Sequence, residues 1–319
     1  MDPITHTMTG AVLARAGGDR LTPLAPATLM LAANAPDIDI YTVWTETSFG
    51  SIAFRRGWTH GPVFLTLLPI VVTLLVWLWD VAVRRRRNPS KPPVRLGWTF
   101  ALALVGTLSH PLLDWLNTYG VRVLMPFSKT WFAGDSVFII DPYWWALLGL
   151  TLLLARARRS IATVRFAAAV AFLYPAVLVA VSAAGDRLAL VEAERVALGN
   201  VREILYQPRP GNPLAAQLIA VTSDAYHIGA LSWVGEPRVR FGDTTIARGP
   251  WNDPLVRRAA EDRDVRDYLV WARYAWVRLD SANGAPVSVT FGDARFPERG
   301  FAGGLSGLRV PLVAPPVAP

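Results

Sequence analysis

Four stretches of the chain are apolar and almost free of charge. Residues 62–83 read PVFLTLLPIVVTLLVWLWDVAV, with Asp80 as the one charged residue, and residues 96–113, 142–155 and 166–184 follow in the same style. Crossing the hydrocarbon core takes about 20 residues at a helical rise. The runs therefore predict about four membrane spans, the third of them short. Ahead of them, residues 4–16 and 22–35 predict two short helices, the second with Pro23 and Pro26 near its start. These form a re-entrant or interfacial hairpin, or residues 21–35 make a tilted partial span.

After Gly185 the pattern changes to alternation. VREILYQ, QLIAVTS, YHIGALSW, PRVRFGD, YAWVRLD and PVSVTFGD carry β-branched and aromatic residues at strand spacing, with turn residues at Gly242, Asn283 and Gly292. Residues 257–271 predict a helix with its charges on one face. The predicted fold is an α-helical polytopic membrane domain over residues 1–185, a small β-rich extracytoplasmic domain over 186–310, and a Pro-rich tail over 311–319.

Charge sets the expected orientation. Arg84, Arg85, Arg86, Arg87, Lys91 and Arg95 separate the first two spans, and Arg156, Arg158, Arg159 and Arg165 separate the last two. Cytoplasmic loops carry the excess of Lys and Arg, so both loops are expected inside. The loop after the second span and everything after the fourth are then periplasmic, in a bacterial inner membrane. The net charge of +8 reads as topology and contact with lipid headgroups, not as a nucleic-acid footprint. The opening MDPITHTMTG has no basic stretch, so the first span is expected to act as an uncleaved signal.

Chemistry concentrates at one end of the predicted spans. The chain has no cysteine, which excludes thiolate metal sites, disulfides and cysteine nucleophiles. It has four histidines. His6, His60 and His110 are the candidate ligands together with Asp37, Asp39 and Asp114, and the predicted topology brings His60, His110 and Asp114 to one side of the membrane with Asp135 and Asp141 in the loop that follows. His60 stands just ahead of the first span, and His110 and Asp114 stand at i and i+4 near the end of the second. Imidazole and carboxylate together are the ligands of hydrolytic divalent metals, zinc first and manganese as the alternative. Asp135 and Asp141 are weighed evenly between site carboxylates and a turn or helix cap. Asp37 or Asp135 is the candidate general base. His227 lies in a strand pattern and reads as an ordinary histidine. The acids at 261–267 read as a solvated helix face. Trp58, Trp115, Trp131, Trp144 and Trp145 suit an interfacial belt.

The motifs resemble those of the YdjM family of membrane-bound, metal-dependent hydrolases over roughly residues 1–160. The resemblance rests on His6, on Ala35–Asp39 (APDID), on Arg56–His60 (RGWTH), on Leu108–Asp114 (LSHPLLD), and on Asn117–Val121 with Met125–Phe127. It implies a metal site on these residues. Through distant similarity to zinc-dependent phospholipase C and P1-type nucleases, it also implies phosphoester hydrolysis of a lipid or lipid-linked substrate. Arg55 stands where the family often has a histidine, which removes one possible ligand. The expected partner is the bilayer itself. A structural metal in a non-catalytic protein, with an external domain that binds a partner, is the alternative.

Overall fold

A computed structural model describes residues 1–296 and 303–312. The chain divides into two compact units. The first comprises residues 1–40, 55–182 and 208–213, and the second comprises 41–54, 183–207 and 214–319.

The first unit is helical. Helix α1 (Pro3–Arg15) starts at Asp2, whose carboxylate accepts from the amides of Ile4 and Thr5. Helix α2 (Ala25–Asn34) follows, with Pro26 in its first turn. Later come α5 (Pro62–Trp79), α6 (Leu96–Trp115), α7 (Pro142–Arg156) and α8 (Ile161–Arg195). Between them, α3 (Thr42–Thr45) and α4 (Ser48–Phe54) belong to the second unit.

Helix α2 packs between α1 and α6, and small residues allow the approach. A Cβ on Gly10 would meet Leu29 O at 2.7 Å, and one on Gly106 would meet Ala32 Cβ at 2.8 Å. Close backbone contact through Gly and Ala is how helices associate where lipid supplies no hydrophobic drive. Met1, Val12, Leu113, Val137, Trp144, Leu148 and Ala171 form one buried cluster, and Ala32, Val72, Val76, Val94 and Ala103 form another.

Among the described residues, three helical stretches are long and apolar enough to cross a membrane: Pro62–Arg87, Leu96–Trp115 and Ile161–Arg195. Helix α7 has 15 residues, about 22 Å at 1.5 Å each, against a hydrocarbon core of about 30 Å. The first of the three continues past α5 through a π-helical turn at Asp80–Arg84. Asp80 is buried there and accepts from Val94 N at 3.1 Å, beside Arg84 and Arg85. The charge within the apolar run is therefore satisfied at the helix end.

The second unit holds two sheets. The strands are β1 (Glu203–Arg209), β2 (Asn212–Val221), β3 (Ala225–Ser232), β4 (Arg238–Ala247), β5 (Ala275–Ala282), β6 (Ala285–Asp293) and β7 (Leu308–Pro311). Their orders are β1-β2-β3-β4 and β5-β6-β7. The registers pair Ile219 with Ile228 and Val277 with Phe291. Leu205, Ile219, Tyr226, Tyr274 and Ala294 form a core shared by both sheets. The single helix expected at 257–271 is two, α9 (Pro254–Ala259) and α10 (Arg263–Trp271), because Asp262 caps a fresh start by accepting from Asp264 N and Val265 N. Of the Pro-rich tail, residues 313–319 lie outside the described residues. Trp144 is fully buried in the first unit's core, which corrects its assignment to an interfacial belt.

Candidate metal centre

Asp37 and Asp39 lie in a 3-10 segment, Ala35–Tyr41, that runs on from α2. His60 closes a second 3-10 turn, Trp58–His60, just ahead of α5. His110 and Asp114 sit one turn apart on α6, and His6 lies on α1. The packing of α1 and α6 around α2 draws these side chains together. His6, Asp39, His60, His110 and Asp114 have no exposed side-chain surface, whereas Asp37 is 13% exposed.

Four ligand atoms, one each from Asp37, His60, His110 and Asp114, lie within 4.8 Å of one another. His60 Nε2 and His110 Nε2 stand 3.4 and 3.5 Å from Asp114 Oδ2, and 3.9 and 3.7 Å from Asp37 Oδ1. These separations are too long for good hydrogen bonds. They are close to the edge of a tetrahedron with bonds near 2.1 Å, about 3.4 Å. All four atoms are buried without a hydrogen-bond partner. Buried polar atoms nearly always have one, so the donor set fits a divalent ion of the zinc type.

The surroundings fix which imidazole nitrogen is bare. His110 Nδ1 lies 2.6 Å from the Ala33 carbonyl. A carbonyl only accepts, so Nδ1 carries the proton and Nε2 faces the group. Thr59 Oγ1 donates to Asp39 Oδ2 at 2.9 Å and accepts from His60 Nδ1 at 2.9 Å. A carboxylate–hydroxyl–imidazole relay thus leaves His60 Nε2 bare as well, the outer support typical of metal-binding histidines. Burial, then the neighbouring His110, pushes the His6 and His60 imidazoles well below the usual histidine value. Both are neutral at pH 7. Burial would raise the Asp37 carboxyl, but His110, His60 and Arg56 outweigh it and hold the group well below the usual carboxylate range. For Asp39, burial prevails over the bonds from Thr59 and the Arg56 amide, and its carboxyl is raised.

The expected residues fall into three groups. Asp37, His60, His110 and Asp114 form the cluster. His6 and Asp39 border it: His6 Nε2 is 3.3 Å from Asp114 Oδ1, and its ring stacks on His110 at 3.8 Å. Asp39 holds Thr59 and the amide of Arg56. Asp135 and Asp141 stand outside the clustered ligand atoms. Asp135 has a left-handed backbone, with φ 46°. Asp141 caps α7 by accepting from Trp144 N and also accepts from Tyr174 Oη. In the second unit, His227 lies 3.3 Å from Thr245 on the neighbouring strand.

Sequence reasoning passed over Arg56 as a supporting group. Its side chain is 5% exposed, and its Nε stands 3.0 Å from Asp114 Oδ2. It donates to Asn117 Oδ1, Gly120 O and Met1 O, and lies over the Tyr119 ring. The Met1 amino group also reaches Asp114 Oδ1. An arginine at the head of the RGWTH motif, four residues ahead of His60, was the available signal.

All of the clustered residues precede residue 187, and a family model described as YdjM inner membrane protein matches residues 1–186. The chain belongs to the YdjM inner membrane protein family. The YdjM match covers every residue of the cluster and stops near the start of the β-rich region. No curated protein and no solved structure matches the chain.

Proposed function

We propose that the chain is a membrane-bound, metal-dependent hydrolase acting on a phosphoester of a lipid or lipid-linked substrate. One observation carries the reading: ligand atoms of Asp37, His60, His110 and Asp114 converge, buried, with no hydrogen-bond partner, and the two carboxylates have the Arg55 and Arg56 guanidiniums and the Met1 amino group beside the imidazoles. Each such atom costs about 1–3 kcal/mol, a cost that a bound ion removes. A divalent ion, zinc or manganese, supplies Lewis acidity, the chemistry that makes water a nucleophile near neutral pH.

The protein's own groups supply the rest. Ala33 and the Asp39–Thr59 pair hold the two imidazoles in their bare-Nε2 tautomers. Arg56 steadies Asp114. Asp37 is the one member of the four with exposed surface, so water and substrate enter past it. Asp135 has no role in this reading. Exposed Ile38, Ile40 and Trp58, neighbours of the site residues in the chain, favour a substrate with an apolar tail. In the proposed topology α7 makes a fourth crossing, the arginine-rich loops face the cytoplasm, and the site and the β-rich unit are periplasmic.

The second reading is a structural metal in a non-catalytic protein whose β-rich unit binds a partner. It is favoured by the count of four protein ligands, since structural sites are closed by four. Phosphate release from phosphatidic acid and from a prenyl diphosphate separates the two. Hydrolysis abolished by a chelator and restored by zinc or manganese supports the hydrolase. Metal-loaded protein that is inert on both supports the structural reading.

A further inference from the structure

Arg55 and Arg56 are adjacent and have opposite fates. The Arg56 guanidinium is buried and spent on Asn117, Gly120 and Met1. The Arg55 side chain is 26% exposed and stands over the two aspartates of the APDID motif. Its Nη2 is 3.7 Å from Asp37 Oδ1 and its Nε is 3.8 Å from Asp39 Oδ1. Both distances exceed hydrogen-bond range. The Nε is buried and has no hydrogen-bond partner.

The backbone fixes this orientation. Arg56 sits at φ 53°, a left-handed conformation that an arginine rarely adopts. Three bonds hold it there: Arg56 N donates to Asp39 Oδ2 at 2.9 Å, Arg122 N to Arg56 O at 2.8 Å, and Arg122 Nη2 to Arg55 O at 3.2 Å. The reversal sends one guanidinium inward to Asp114 and leaves the other at the edge where Asp37 meets solvent. Backbone strain held in place by surrounding bonds is characteristic of functional sites.

Charge points the same way. Asp37, Asp39 and Asp114 face the guanidiniums of Arg55 and Arg56 and the Met1 amino group. A divalent cation adds two positive charges to that group. A loaded site with a planar donor fork at its open edge suits a phosphoryl group. Arginine binds such groups through two parallel hydrogen bonds.

We propose that Arg55 is the substrate-binding residue of this site and takes two oxygens of a phosphate ester at the edge beside Asp37. The inference rests on the phosphoester reading given above and names the group that recognises the phosphate. An arginine that merely screened Asp37 and Asp39 would instead govern metal retention.

The test uses the full-length, zinc-loaded protein in detergent. Binding of inorganic phosphate and of dihexanoyl phosphatidic acid is measured by calorimetry for wild type, Arg55→Gln and Arg55→Lys, with zinc content measured on each. The expected result is full zinc in all three, binding weakened about ten- to a hundredfold in the Gln variant, and an intermediate loss in the Lys variant. Tighter binding of the lipid than of free phosphate in wild type identifies a lipid headgroup as the natural source. Equal binding identifies the phosphoryl group alone. Undiminished binding in a zinc-loaded Gln variant overturns the role of Arg55 and leaves the phosphoester reading standing. Zinc loss in both variants reassigns Arg55 to holding the metal group and also overturns the proposal. Failure of zinc-loaded wild type to bind either probe removes the phosphoester reading and the proposal together.

Discussion

Each unit buries arginine against aspartate, and the two burials differ in kind. In the β-rich unit Arg295 and Asp293 are both fully buried. Arg295 Nε and Nη2 donate to the two Asp293 oxygens at 2.9 and 2.8 Å, and Nη2 also donates to Trp271 O. The guanidinium lies over Trp271 and beside Phe296. Tyr274 N also donates to Asp293 Oδ2, so the pair is bonded on both sides to its own scaffold. In the helical unit Asp37, Asp114, His6, His60, His110 and Arg55 gather beside Arg56, yet several of their polar atoms make no hydrogen bond. Completed hydrogen bonding marks a scaffold, and convergent incomplete bonding marks a binding site.

The largest expected effect comes from breaking the completed pair. Asp293→Ala leaves Arg295 charged and buried, which costs about 3–5 kcal/mol, read as lost hydrogen-exchange protection in β5 and β6. Asp37→Asn in the metal-free protein removes a charge that His110, His60 and Arg56 favour but leaves no buried charge without a partner, and its cost to stability is expected to stay below that of Asp293→Ala. Equal losses from the two changes would erase the distinction between scaffold and site.

A subtler change sharpens it. Thr59→Val removes the hydroxyl between Asp39 and His60 while keeping the shape of the side chain. Zinc affinity is expected to fall about ten- to a hundredfold, as for other outer-shell supports, in a competition assay with a chromogenic chelator. Unchanged affinity would make the relay incidental.

The last contrast is the dependence on pH. His6 and His60 are buried neutral, with folded values below the ordinary histidine value of 6.5. Below that value the unfolded chain binds protons that the folded, metal-free chain does not. Stability is therefore full above about pH 6.5 and is lost as the pH falls, by up to about 1.4 kcal/mol per pH unit for each histidine. Melting of the metal-free protein between pH 8 and 5 that is flat, or that rises toward acid, would contradict the buried neutral histidines.

Much of this architecture was legible locally. Apolar runs marked α5, α6, α7 and α8, and alternation marked β1 to β6, because each signal lies within one element. The metal cluster was legible because His110 and Asp114 share a helix face and the topology argument drew His60 toward them. What escaped depends on contacts between distant segments. Residues 41–54 fold with the second unit, where Thr47 donates to Asp264 and Arg263 pairs with Glu46 at 2.6 Å. No local pattern in TVWTETSFGSIAF marks that association. Trp144 looked like a belt residue beside Trp145, and only packing distinguishes a buried tryptophan from an interfacial one. Strand β7 is four residues long, too short for alternation to declare it. The contrasting roles of Arg55 and Arg56 follow from a left-handed backbone at Arg56 that residue type alone does not foretell.

The most direct measurement is the metal content of the detergent-purified protein by elemental mass spectrometry, wild type beside His110→Ala. The account predicts stoichiometric zinc or manganese in wild type and its loss in His110→Ala, with membrane insertion unchanged. Metal retained at full occupancy in His110→Ala, or absent from wild type after reconstitution, would contradict it.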